Sequence, residues 1–228
     1  MTTAASNRRP QRRRRRLPHL RCSIALAASL ACACSVTAGE IHRGDMPPRS
    51  SYLGFSFARP VSWEWYLLRS DEHDDDVMLR RHLHPESDTH SFFARVSLGH
   101  LDRQPASASE FAEMARATSQ DAPYQVQLVS YEQHPAPRQE QWCIRFDSSY
   151  LVRGSPVAPH EDLTMILRGY RCLHPKWPRT TLDFFYSERG PASEIDPGLS
   201  REGEAFLDGV RIDMATDMPA NAASSGSM

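Results

Sequence analysis

Long apolar runs, lysine and cysteine are what this 228-residue chain has least of. The most apolar run, Cys22 to Ala33, holds about a dozen residues, short of the roughly 18 of a membrane-spanning helix. Lysine occurs once, as Lys176, against 26 arginines, a bias that fits a GC-rich genome and carries no functional reading. Of five cysteines, Cys22, Cys32 and Cys34 lie near the start, which leaves Cys143 and Cys172 for the rest. Two distant cysteines exclude a C-x-x-C redox motif and offer too few thiolates for a cysteine-based zinc site. The chain also lacks a G-x-S-x-G elbow, an H-E-x-x-H pair and an EF-hand loop, which removes the commonest signatures of serine hydrolases, zinc proteases and calcium sensors.

What is present begins with Arg12 to Arg16, followed by the apolar run and then Leu30-Ala31-Cys32-Ala33-Cys34-Ser35. A basic stretch, a short apolar segment and a small-residue exit describe a secretory signal over residues 1–33. A nucleic-acid-binding arm would account for the arginines but not for the apolar run behind them. Two exits stay open. Ordinary cleavage at Ala31-Cys32-Ala33 would release a soluble periplasmic or secreted protein. Alternatively, the segment resembles the lipobox of bacterial lipoproteins, in which Cys34 (or Cys32) is acylated by fatty acids such as palmitate. By that resemblance Ser35, rather than an aspartate, implies sorting to the outer membrane, with the domain facing the periplasm. An unpaired cysteine at a secreted N-terminus favours the acylated form, because the free thiol would be reactive.

Residues 1–33 hold eight of the 27 basic residues and none of the 28 acidic ones, so the remainder carries a net −9. An acidic domain is a poor partner for nucleic acid or an anionic lipid surface. Residues 34–50 read as the lipidated N-terminus and a tether, 51–213 as one domain, and 214–228 as a disordered tail.

Within the domain, Tyr52 to Phe57 and Trp63 to Leu68 read as strands divided by Arg59-Pro60, and Asp71 to Asp76 as a polar loop. Val77 to His84 and Ser91 to Leu98 are two further strands. Ser107-x-x-Glu110 is a capping box, and Phe111, Met114 and Ala115 share a helical face. Four strand-like segments follow: Tyr124 to Glu132, Gln141 to Leu151, Leu163 to Leu173 and Thr181 to Ser187. Pro197-Gly198-Leu199-Ser200 then opens a second helix with Phe206, Leu207 and Val210 on its apolar side. The expected class is α+β, a twisted antiparallel sheet of about six to eight strands covered by two helices.

In an oxidising compartment Cys143 and Cys172 are expected to pair. Placing them opposite each other puts the hairpin centre inside Gly154-Ser155-Pro156-Val157-Ala158-Pro159. The same register sets Asp147 against Arg168 and Arg145 against Tyr170 on the cysteine face, which reads as polar. Trp142 then meets Leu173, Phe146 meets Gly169 and Tyr150 meets Met165 on the other, which reads as core, with Arg171 opposite Ile144 discordant. Closing such a loop stabilises by about 3.5 kcal/mol in the chain-entropy model.

Chemistry-bearing residues are sparse. His73 in its acidic loop, with His82 and His84 on one side of a strand, reads as solvated rather than as a metal site. Ser187, with His174 and Asp183 near it in sequence, would be the nucleophile of a hydrolase, but it falls where its strand breaks into Gly190-Pro191, the position of a turn residue. Trp63, Trp65 and Trp142 read as core, and Trp177 as exposed. No metal or cofactor is expected.

The segments Trp142-Cys143-Ile144-Arg145-Phe146, Gly169-Tyr170-Arg171-Cys172-Leu173-His174-Pro175, Phe185-Tyr186-Ser187-Glu188-Arg189-Gly190 and Glu202-Gly203-Glu204-Ala205-Phe206-Leu207 resemble uncharacterised proteobacterial envelope lipoproteins over about residues 50–212. The order of elements resembles the PsbP-like α/β sandwich. The first resemblance implies an envelope location and no activity; the second implies an accessory or docking role. The expectation is therefore a non-catalytic, lipid-anchored periplasmic module that binds another envelope protein. A hydrolase using Ser187 and a small-molecule or metal carrier are the alternatives.

Overall fold

A computed structural model describes residues 40–68, 75–119, 126–139 and 141–213, and these belong to a single unit. Eleven strands are present among them: β1 Glu40–His42, β2 Arg49–Tyr52, β3 Phe55–Ala58, β4 Trp65–Leu68, β5 Asp76–Arg81, β6 Ser91–His100, β7 Val126–Pro135, β8 Cys143–Val152, β9 Leu163–Leu173, β10 Thr180–Gly190 and β11 Val210–Ile212. Two α-helices join them, α1 Ala108–Ser119 and α2 Pro197–Gly209. Eight strands form one antiparallel sheet in the order β1-β4-β5-β6-β10-β9-β8-β7, and β11-β3-β2 form a second, smaller one. The fold is α+β, an antiparallel sheet covered by two helices, as the pattern of elements predicts.

Local chemistry explains the main boundaries. Ser107 Oγ accepts from the Glu110 amide at 3.2 Å, and the Glu110 carboxylate reaches back to accept from the Ala106 amide at 2.5 Å and to pair with Arg103. Phe111 and Ala115 are buried under α1, with Met114 packed beside them. At the start of α2, Asp196 accepts from the Gly198 amide at 2.6 Å and Pro197 occupies the first turn, where its missing N–H costs nothing. Leu199, Gly203, Phe206 and Leu207, spaced 4, 3 and 1 apart, make the buried stripe of that helix.

Within the long meander β7-β8-β9-β10, the β8–β9 hairpin holds the expected register. Cys143 lies opposite Cys172, Arg145 opposite Tyr170, Phe146 opposite Gly169, Asp147 opposite Arg168 and Tyr150 opposite Met165. A disulfide joins Cys143 and Cys172, and Arg168 Nε sits 2.8 Å from Asp147 Oδ1. At the outer edge, the register of β7 shifts between Leu128 and Ser130, and the displaced Val129 is 64% exposed. A bulge of this kind spoils an edge strand as a template for further pairing.

Several expectations need correction. The segment read as a tether is folded from Glu40 onward: β1 pairs with β4, and Met46 and Ser50 are buried. Tyr52 to Phe57 is not one strand but the turn and inner arms of the β2–β3 hairpin, because Gly54 takes the left-handed φ of 74°. β5 stops at Arg81, so His82 and His84 lie in the following loop. Val210 leaves α2 to start β11. Most consequential, the faces of the β8–β9 hairpin are not divided into core and polar. The cysteine face joins the principal core, where Cys143 and Cys172 pack with Phe55, Phe57, Trp65, Phe92, Phe184, Tyr186 and Phe206 between the large sheet, the small sheet and α2. The opposite face carries a smaller cluster under α1, of Leu101, Phe111, Ala115 and Ile144. Arg171, discordant in sequence, points into that second face and is fully engaged there. Its guanidinium donates to both Asp183 oxygens at 2.6–2.9 Å and to the Ala115 carbonyl in α1 at 2.9 Å.

Candidate functional site

The loop from Arg59 to Glu64 and the first half of α2 enclose a groove of about 550 Å³. Its floor is Trp65 and Phe206, stacked with ring centroids 6.4 Å apart, and its walls include Pro60, Val61, Leu199, Arg201 and Ala205. Apolar lining with a few polar groups is the usual make-up of a ligand or peptide site of this size.

Both walls are fixed. Arg59 donates its amide to the Pro48 carbonyl at 3.0 Å and its guanidinium to the Met46 carbonyl at 3.0 Å. Arg43 Nε donates to the Pro60 carbonyl at 2.9 Å, and the same guanidinium lies 4.1 Å above the Trp63 ring. Ser62 and Glu64 bond to each other through their side chains. On this braced loop Val61 is 80% exposed and Trp63 71% exposed. Val61, in the groove's lining, and Trp63, just outside it, are the most exposed large apolar side chains among the described residues, and such surface marks interaction sites.

The other wall is held by two acids of α2. Glu202 accepts from the Trp65 indole at 3.0 Å and from Arg81 at 2.9 Å, which ties the helix to β4 and β5. Glu204 accepts from Arg145 at 2.6 and 3.0 Å and from the Tyr186 hydroxyl at 2.9 Å, which ties it to β8 and β10. Burial pushes the Glu204 carboxyl up, but the bonds from Arg145 and Tyr186 and the charges of Arg145 and Arg168 outweigh it, leaving the group below its ordinary value. Between the two acids Gly203 lies flat against the Tyr186 ring; an added Cβ would come within 2.4 Å of it. Below, the buried carboxylate of Glu188 accepts from the Asp196 amide at 2.8 Å and lies 2.9 Å from His90 Nε2, anchoring the turn that opens α2.

The residues singled out by sequence fall elsewhere. Cys32, Cys34 and His73 lie outside the described residues. Ser187 is not at a strand end, since β10 runs on to Gly190; it is fully buried, opposite Phe93 and Leu167, and its hydroxyl has no partner among the described residues. Asp183 is occupied by Arg171, and His174 stacks on Trp177 at 3.9 Å. The three are thus not assembled, and among the described residues Ser187 Oγ has no hydrogen-bonded base to activate it. His82 stacks on Tyr66 at 4.3 Å, while His84 is exposed.

The tryptophans are redistributed. Trp65 is core as expected, but Trp63 and Trp142 are exposed, the latter at 39%. Trp177, expected in solvent, is 6% exposed. The Trp177 carbonyl accepts from the Thr180 amide, and the His174 amide donates to the Thr180 carbonyl. That fold lays the indole on His174 and against Gly54, where a Cβ would stand 2.7 Å from the ring. Burial lowers the His174 pKa, in opposition to the backbone of Gly54 and Asp213.

Sequence reasoning missed Val61, Glu202, Gly203 and Glu204. A glycine between two acids in mid-helix, beside Phe206-Leu207, is the signal that was available, because such a glycine needs a packing reason.

No family model matches the chain, and no curated protein does. Among solved structures, the chain is similar to the Ran-binding protein Mog1p of Saccharomyces cerevisiae at 11% identity, covering 76% of this chain and 94% of that one with a TM-score of 0.36. A mutant form of Mog1 is similar at 10% identity, over 70% of this chain and 90% of that one, with a TM-score of 0.35. Neither likeness bears on the chemistry of this groove.

Proposed function

We propose that this protein is a non-catalytic accessory module of the cell envelope, anchored through lipid on Cys34, that captures a segment of another envelope protein in the groove between the Arg59–Glu64 loop and α2. The observation that carries the reading is the pair Val61, 80% exposed in the groove's lining, and Trp63, 71% exposed on the same braced loop just outside that lining. A rigid exposed tryptophan beside an apolar cleft has the character of a binding hot spot, where truncation costs about 2 kcal/mol or more, roughly thirty-fold in affinity. The arginine above its ring and Arg59 and Arg201 along the walls favour a partner segment that brings a carboxylate with its apolar anchor.

The test is in-cell cross-linking and pull-down of the tagged full chain, with Trp63→Ala and Cys34→Ser forms beside it. One envelope protein is expected to be enriched by the natural chain, lost at least tenfold with Trp63→Ala, and weakened with Cys34→Ser. Because Trp63 is exposed, the Trp63→Ala form should melt within a degree or two of the parent. Equal capture by the Trp63→Ala form would overturn the groove as the site, and no enriched protein at all would overturn the binding role.

A further inference from the structure

The open end of the large sheet's second face points to a lipid surface. β strands alternate their side chains, so at the β4–β6 end one face shows Trp65, Leu67 and Leu79, all buried in the principal core, and the other shows Leu68, Met78 and Phe93. These three are partly exposed and, with Met165, line a depression of about 290 Å³ flanked by Arg80 and Arg189. Two carboxylates on the same face are paired, Asp76 with Arg95 at 2.6 Å and Asp183 with Arg171 at 2.6 Å, while Glu40, opposite Leu68, stands exposed at its edge. The depression itself is therefore apolar with Arg80 and Arg189 along its margin and Glu40 at its β1 edge, although the chain beyond the signal carries −9.

The chain's own connectivity selects the occupant. Glu40, the first residue of β1, is paired directly with Leu68 at this patch. Cys34 stands six residues earlier, and six residues reach at most about 20 Å even when fully extended. An acyl group on Cys34 therefore keeps Glu40, the residue paired with Leu68, within about 20 Å of the bilayer. At that edge the other face is closed by the core, and this one is left partly exposed by the described residues.

Resting on the lipid-anchored reading above, we propose that this face lies against the bilayer that holds the Cys34 acyl chains, with Arg80 and Arg189 on phosphate headgroups and Leu68, Met78, Phe93 and Met165 toward the acyl region. The groove at α2 then remains free for a protein partner. Each signal alone would be weak, and an acyl anchor combined with an apolar, basic patch would fix both attachment and orientation.

The test places the photo-cross-linker p-benzoylphenylalanine in the full chain in cells, at Phe93 and separately at Met78, with Val129 on the far edge strand as the control. Intact mass is read on the same samples. Acylated protein is expected to carry phospholipid adducts from positions 93 and 78, at least tenfold above those from 129, and Cys34→Ser should remove them. Acylated protein with no lipid adduct at 93 and 78, or with protein adducts there instead, overturns this proposal and leaves the anchor standing. An intact mass without acyl chains overturns the anchor and the membrane-facing surface together.

Discussion

The two faces of the eight-stranded sheet are finished by different means. The face under α2 and the small sheet is closed by rings: Trp65 against Phe92 at 5.4 Å, Phe57 against Phe206 at 5.9 Å, and Tyr170 against Phe184 at 5.3 Å. The face under α1 is closed over a smaller area, by four buried residues and by one arginine that bridges a strand carboxylate to a helix carbonyl. Apolar area accounts for most of the first closure, and a charge that must not lose its partner accounts for much of the second. The aromatic face can carry a rigid groove on its outside because α2 is pinned through Glu202 and Glu204; on the α1 face the described residues leave part of the sheet uncovered.

The comparison breaks most visibly at Phe206. Phe206→Ala is expected to cost about 3–5 kcal/mol in urea unfolding, since the site lies between Phe57 and Trp65 and cannot collapse around the void. Phe111→Ala under α1 should fall at or below the lower end of that range, because its cluster is smaller; equal losses would erase the distinction. Arg171→Ala should destabilise by about 3 kcal/mol by leaving Asp183 buried and unpaired, and Asp183→Asn combined with it should recover part of the loss. The smallest expected effect is at Glu204. Its folded pKa lies below the unfolded value of about 4.3, so its stabilisation is present above that value and is lost as pH falls through the folded pKa. Glu204→Gln should therefore lower stability near neutral pH and flatten the acid limb of the stability–pH curve. Because the carboxylate is 44% exposed, solvent screening limits the change to under about 1 kcal/mol.

Much of the fold was legible because its signals are local. The capping box of Ser107 and Glu110, the Pro-Gly start of α2 and the period-two runs of β8, β9 and β10 report backbone preferences within a few residues. The Cys143–Cys172 register was legible for a different reason: a one-residue slip would break the disulfide, the Asp147–Arg168 pair and the apolar pairs at once. The side of the hairpin that becomes core was not legible, because α2 is some 30 residues further along and its docking decides which face is covered. Trp63 and Trp177 exchanged places for a similar reason. Val61, Trp63 and Trp65 alternate like the inner face of a strand, and only the hydrogen bonds from Arg43 and Arg59 show that the first two belong to a loop. Trp177 lies in a proline-rich loop that looks exposed until Gly54, from the other sheet, comes to meet it.

The amino-acid sequence by itself determined the α+β class, the order of strands and helices from β4 to α2, and the register of the central hairpin, because each follows from periodicity, capping and pairing between near neighbours. Only the tertiary structure decided which face became core, that Ser187 is buried apart from His174 and Asp183, and that Val61 lines a groove with Trp63 exposed on the same loop, because burial depends on what distant segments bring to a surface.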